Sequence, residues 1–339
     1  MRSISRRFVI LAATLAATIG AVPAAFSQDA VDEAAAKAEG SVVWYTSTPI
    51  RQAQQAADDF LAQTGIEVEL FRSGGSAILR RFQQEMQAGL VAVDVLTHSD
   101  PGIAEALKAQ DFFVPFKPVN FDRIPEGAKD PEGHWFAQRL NMIAMYGRTD
   151  LASEMPQTLE DLRDPKFSGQ LVMADPNFAS LQVAVVGTTA EGVGWDFFEA
   201  LRENDVMVVQ GGQQVVDMVK RGERAIAILA SNSYAAEAAL EGHPIETVYP
   251  PDGTFLIASP TSVVKDSPNP NAAKLFAQFL LSDEQQALFP ESGGYGALSD
   301  MDPPADSPRL DEVTVTPVDY EKIEAENAEI KRSFTEIFQ

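Results

Sequence analysis

Apolar positions along the chain switch repeatedly between alternation and helical spacing, and this switching predicts the elements. Residues 41–46 (SVVWYT) read as a buried strand. Residues 51–63 follow as a helix with Ala53, Ala56, Ala57, Phe60 and Leu61 on its apolar side, closed by Gly65. A second strand over 66–71 breaks at Ser73-Gly74-Gly75-Ser76, and a helix over 76–88 restarts with Ile78, Leu79, Phe82 and Met86 in register. Residues 93–97 give a third strand. Strands alternating with helices imply a mostly parallel sheet with right-handed crossovers. Residues 112–133 read as irregular surface, and 135–146 (WFAQRLNMIAMY) is an extended run longer than one strand needs.

The same grammar returns without sequence repetition. Strands are expected over 170–174, 205–209 and 224–230, each followed by a polar loop and a helix, then a strand over 245–249. A second long extended run covers 255–265 (FLIASPTSVVK), an amphipathic helix 269–281, a shorter one 283–289, and a charged terminal helix 318–338 that is expected to pack over the first lobe. The two long runs can cross between lobes. The expected architecture is therefore α/β, with two lobes, each a mostly parallel sheet flanked by helices, and a ligand cleft between them. The first lobe takes 28–140 and 260–339, the second 141–259. Hinge closure around a ligand is the natural motion.

Ligands in open α/β sheets bind at the carboxyl ends of the strands. The first lobe brings there Tyr45 and Ser47, then Arg72 with Ser73, Gly74, Gly75 and Ser76, then Ser99 and Asp100 beside His98. The second lobe brings Asp175, Asn177 and Ser180, then Gln210 and Gln213, then Ser233 and Tyr234. Glycines admit close backbone approach, Ser76 can serve as N-cap, and free N–H groups of a first helical turn suit an anion or another acceptor. Arg72 adds positive charge, and Tyr45 can stack on a ligand or hydrogen-bond to it. Each residue also has a plain structural reading: Tyr45 as core, Asp175 and Asn177 as helix caps, His98 as a solvated loop residue.

Composition narrows the function. The 339 residues hold 26 basic and 49 acidic side chains and no cysteine. Disulfides, thiol catalysis, zinc-thiolate sites and a lipid-anchoring cysteine are thereby excluded. Residues 1–27 read as an export leader: Arg2, Arg6 and Arg7, an apolar run over 8–22, and small Ala25 and Ser27 before Gln28. Ser5-Arg6-Arg7-Phe8-Val9 loosely matches a twin-arginine signal, and ordinary Sec export is the preferred reading. Without these three arginines the formal charge moves from −23 to −26. Nucleic acid and anionic membranes are poor partners for such a surface, although screening over about 8 Å leaves a local anion site open. The mature chain is expected in the periplasm, as a monomer, with no membrane insertion and no cofactor.

On VVWYTS (42–47), FLAQTGIEVELFRSGGSAILRRFQQEMQAG (60–89), VDVL (93–96), DPKFSGQLVMADP (164–176), RGERAIAI (221–228) and SPNPNAAKLFAQFLLSDEQQ (267–286), the chain resembles the periplasmic solute-binding proteins of ABC importers. The resemblance lies in the branch holding ferric-iron, sugar-phosphate and aminoethylphosphonate receptors. It implies a type II periplasmic-binding-protein fold and a receptor that hands a small solute to an inner-membrane ABC permease. Iron-binding members use adjacent tyrosines and a carboxylate. Here Tyr234 stands alone, with Asp100 as the matching acid, so iron remains the alternative and an organic anion bearing phosphate, phosphonate or carboxylate the main reading. An enzyme finds little support: there is no HExxH and no GxSxG, and His98, His134 and His243 fall in separate loops.

Overall fold

The computed structural model describes residues 31–339; the expected leader lies outside them. The chain opens with α1 (Glu33–Glu39), β1 (Ser41–Thr46), α2 (Ile50–Thr64), β2 (Glu67–Arg72), α3 (Gly75–Gln87), β3 (Val95–Thr97) and α4 (Pro101–Ala109). β1 pairs in parallel with both β2 and β3, the arrangement the alternating pattern predicts. Residues 112–133 are mostly irregular, apart from the two-residue β4 (Phe113–Val114) and a 3-10 turn over Phe121–Arg123.

β5 (Phe136–Arg148) is the first crossing strand. Beyond it come β6 (Leu171–Ala174), α5 (Ser180–Val193), α6 (Trp195–Glu203), β7 (Met207–Val209), α7 (Gly212–Arg221), β8 (Ile226–Ser231), α8 (Asn232–Leu240) and β9 (Ile245–Val248). β6 pairs in parallel with β7 and β8. The chain returns through β10 (Phe255–Val264) and ends with α9 (Pro270–Leu280), α10 (Asp283–Glu291), β11 (Tyr295–Gly296) and α11 (Tyr320–Phe338).

β5 and β10 run antiparallel to each other and join the two parallel units into one sheet ordered β2-β1-β3-β10-β5-β8-β6-β7. Regular pairing breaks at Ser259/Pro260 in β10 and between Ala144 and Tyr146 in β5. Such irregularities bend strands locally. Apolar side chains cover both faces of each half: one core gathers Trp44, Phe60 and Phe276, another Ile78, Phe82 and Leu96, and the second half is held by Phe167, Val185 and Phe198 on one face and Val172, Val215 and Val219 on the other.

The terminal helix packs on the expected first lobe and on the second as well. Ile323, Ile330 and Phe334 of α11 are buried in the same cluster as Val183, Val186 and Phe198, so the helix lies on α5 and α6, and it also packs on α4 of the first half, where a Cβ on Gly102 would stand 2.9 Å from the Tyr320 carbonyl oxygen. Its apolar stripe finds the unfilled face of the second lobe, a choice that amphipathicity alone does not specify.

Candidate functional site

A cleft of about 360 Å³ opens between the two halves of the sheet. Helices α2, α3, α5, α7 and α8 begin at its edge, and their N-cap residues Pro49, Gly74, Ala179, Gly211 and Ser231 all line it. None of these five carries a side-chain cap. By contrast α1, α4, α10 and α11 are capped by Asp32, Asp100, Ser282 and Asp319. The first turns at the cleft thus lack an N-cap side chain, as do α6 and α9 away from it, and the positive ends of five helix dipoles converge on one space.

Of the residues predicted from sequence, the first half delivers Ser47, Arg72, Ser73, Gly74, Gly75 and Ser99 to the lining. The second half delivers Ser180, Gln210, Gln213, Ser233 and Tyr234. The two walls meet closely: a Cβ on Gly75 would stand 2.2 Å from Ser180 Oγ, and one on Gly74 would stand 3.4 Å from the Phe178 carbonyl. Gly212 makes room for Tyr234, whose ring would lie 2.3 Å from an added Cβ. Here glycine serves close approach and not a left-handed turn.

Five predicted residues lie outside the lining. Tyr45 points the other way on β1: its hydroxyl donates to Glu85 at 3.1 Å, and its ring packs 5.1 Å from Phe71 beneath the Arg81 guanidinium. Ser76 is not the N-cap of α3. Gly74 takes that position, and Ser76 Oγ is buried without a partner. Asp100 caps α4 by accepting from Ile103 N at 3.2 Å, and burial pushes its carboxyl up to about 7. Asp175 accepts from both the backbone N and Nδ2 of Asn177, at 2.7 and 2.8 Å, and Asn177 Nδ2 donates onward to Thr335 Oγ1 in α11. These side chains brace cleft loops from behind. His98 is not solvated either: it is fully buried, neither ring nitrogen has a partner, and burial holds it down to about 3 and hence neutral.

Sequence reasoning missed Arg139 and Asn141, which reach the cleft from β5, and Gln182 of α5. Two polar residues inside an apolar crossing run were the available signal. Arg139 is 7% exposed and forms no ion pair among the described residues, and its Nε has no hydrogen-bond partner. Burial lowers its affinity for the proton, to a pKa of about 10, and it remains a cation at neutral pH. Gln182 Nε2 donates to the carbonyl of Leu229 at 3.2 Å, bracing a non-glycine residue held at φ 49° in the cleft wall. Arg72 is oriented by donating from Nε to the Thr48 carbonyl at 3.0 Å. Among the described residues that line the cleft there is no aspartate, glutamate, histidine or lysine; its charged side chains are these two arginines, set among hydroxyls, amides and apolar groups such as Phe178, Leu181 and Val215.

Two sheet halves carried on shared crossing strands, with a polar cleft at their facing strand ends, define a two-lobe solute-binding protein. The chain belongs to the bacterial extracellular solute-binding protein family, whose model matches residues 92–326. Iron uptake protein A1 of Synechocystis is 26% identical over 254 residues, 69% of each chain. In fold, the chain is similar to the periplasmic binding protein AfuA from Actinobacillus pleuropneumoniae with fructose 6-phosphate bound, at a TM-score of 0.79, 21% identity, and coverage of 88% of this chain and 98% of that one. It is likewise similar to iron-bound HitA from Pseudomonas aeruginosa, at a TM-score of 0.76, 18% identity, and coverage of 88% and 99%. No helix of the described residues is long and apolar enough to cross a membrane. Members of such a family bind small solutes and work with a membrane permease.

Proposed function

We propose that this protein captures a small organic anion, bearing phosphate, phosphonate or carboxylate, in the periplasm by hinge closure and delivers it to the permease of an ABC importer. The observation that carries the reading is the charge of the cleft. In a chain with 49 acidic residues, the lining holds two arginines and no carboxylate. A guanidinium buried without a counter-ion costs several kcal/mol, and a bound oxyanion would offset that cost with paired hydrogen bonds. The uncapped starts of α2, α3, α5, α7 and α8 add N–H donors of the same polarity. Gln210, Gln213 and Tyr234 supply the neutral hydrogen bonds and ring face that an organic body needs.

The crossing strands β5 and β10 divide the lobes near residues 140 and 260, with α11 spanning the division. Their irregular pairing gives closure a place to bend. Ferric iron, the competing cargo, would use Tyr234 and Asp100. Tyr234 lines the cleft, whereas Asp100 caps α4 outside the lining and is shifted toward its neutral form. That donor set is thin for a hard trivalent cation.

A thermal-shift and calorimetric screen of fructose 6-phosphate, inorganic phosphate, a phosphonate, small carboxylates and ferric citrate tests the reading. A bound solute should raise the melting temperature and leave chemically unchanged. Stabilisation by an organic anion, lost in Arg139→Gln, is the expected result. A coloured complex with ferric salt and no response to any organic anion would overturn it.

A further inference from the structure

We propose that Asn141 is the positioning residue for the anion: it holds the Arg139 guanidinium by one edge, keeps the rest free for the ligand, and wires that grip into both crossing strands. The proposal rests on reading the cleft as an anion site.

Arg139 Nη1 donates to Asn141 Oδ1. Asn141 Nδ2 in turn donates to the Ile257 carbonyl and to Ser259 Oγ, both at 2.9 Å. Ser259 Oγ shares a hydrogen bond of 2.8 Å with Ser99 Oγ, and Ser99 lines the cleft. Arg139, Asn141, Ser259 and Ser99 are all buried. The chain of bonds therefore runs from β5 across to β10 and on to the loop after β3, and it meets β10 beside its pairing irregularity at Ser259/Pro260.

Counting donors and acceptors shows what the network is built to leave over. Asn141 uses its oxygen on Arg139 and both amide hydrogens on β10, and the two serines share one hydrogen bond. The guanidinium Nε is the one side-chain atom of these four residues that is buried with no hydrogen-bond partner at all. A half-satisfied buried network is costly unless a ligand completes it. The identity of residue 141 matters for the same reason. Aspartate has the same shape, but its charge would pair with Arg139 and remove the cleft's unbalanced positive charge. Asparagine orients the cation without neutralising it. Because the orienting group also ties β5 to β10, contact between an anion and Arg139 is transmitted to the strands that must bend when the lobes close.

The test is isothermal titration with fructose 6-phosphate and with inorganic phosphate over a range of salt concentrations, using Asn141→Ala, Asn141→Asp, Arg139→Gln and Ser259→Ala. Asn141→Ala should raise Kd about tenfold, the scale of one hydrogen bond to a charged group. Asn141→Asp should raise it about a hundredfold and match Arg139→Gln, because both leave the cleft without net charge at that point. The slope of log Kd against log salt should flatten in those two variants and persist in Asn141→Ala and Ser259→Ala, which keep the cation. A role confined to strand packing would give Asn141→Ala and Asn141→Asp equal losses with unchanged slopes, and would overturn the proposal. Should Asn141→Asp fail to fold, Ser259→Ala decides: a loss smaller than that of Asn141→Ala, with the salt slope kept, supports the wiring, and wild-type affinity overturns it. Wild-type protein that binds neither probe, nor any other anion of the screen, would overturn the anion reading and this proposal with it.

Discussion

Gly75 and Ser180 begin helices on opposite walls of the cleft, and a Cβ on Gly75 would come within 2.2 Å of Ser180 Oγ and 3.3 Å of Ser180 Cβ. The hydroxyl can rotate away from a single methyl, but the branches of a valine would press on the Cβ as well. Gly75→Val should therefore wedge the lips apart and weaken ligand binding by about tenfold, the usual scale of an overpacked contact. Because Gly75 sits at a helix start with an ordinary backbone, the melting temperature of the ligand-free protein should change little. Titration with fructose 6-phosphate, paired with small-angle scattering of the liganded state, checks both halves of this expectation.

Much of this geometry was legible in the sequence, and the part that was not has a definable cause. Periodicity located the strands and the polar loops after them, so Ser47, Ser73 and Ser99 could be placed at one sheet edge, and Gln213 and Ser233 at the facing one, from βα order alone. It could not tell which way a residue at a strand end faces. Tyr45 lies two residues before Ser47, still within β1, and points instead to Glu85 on α3. Ser76 fits an N-cap by residue type, yet Gly74 takes that position and Ser76 Oγ is buried, so Ser76→Asp would bury a charge and not alter a ligand contact. Arg139 and Asn141 were hidden because an apolar run reads as core, and a cation within it is visible only as an exception. The seat of α11 depended on which lobe had an uncovered face, a property of the assembled fold.

Arg51 at the start of α2 pairs with Glu237 of α8 and with Glu241 at its C-cap, linking helices that open on the cleft from either side. Arg51 is largely exposed, so the link should add little to stability. It should matter more for retention of a ligand, since it joins the two walls. Arg51→Gln is expected to raise Kd about threefold in low salt, and the difference from wild type should vanish near molar salt, where screening removes exposed pairs. Stopped-flow dissociation at several salt concentrations measures this, and a salt-independent difference would contradict it.

Phe334 is 1% exposed and packs edge-on to Phe198 at 6.1 Å and beside Phe338 at 4.6 Å, fixing α11 to the second lobe. Phe334→Ala should cost about 3–5 kcal/mol, as for other buried aromatic truncations. Denaturant unfolding is the direct measurement. If α11 instead rested on the first lobe alone, the same change would leave amide protection in α5 and α6 untouched. Early exchange in those two helices is the expected signature.

The buried carboxyl of Asp100 adds a pH dependence on the opposite flank of α11. Glu324, Lys331 and Tyr320 of α11 are the titratable groups that act on it. Burial is the largest cause of its rise to about 7, with Glu324 adding to the rise and Lys331 opposing it. Glu324 is itself raised by burial, whereas Lys331 is lowered. A carboxyl with a raised folded pKa binds its proton more tightly in the folded state, so stability is greatest below the unfolded value near 4 and falls as pH rises through 7. Asp100→Asn keeps an acceptor for Ile103 N and removes the charge. It should leave the melting temperature near wild type at pH 4.5, raise it by several degrees at pH 8, and flatten the slope between them. Glu324, raised by the same burial, adds a further falling part that Glu324→Gln in the Asp100→Asn background should remove, while His98, held neutral by burial, adds a rise of opposite sign below pH 6.5 in every variant. An Asp100→Asn variant with the same melting temperature as wild type at pH 8 and the same pH slope would show that Asp100 is ionised at little cost, and that α11 meets α4 through an ion pair with Lys331.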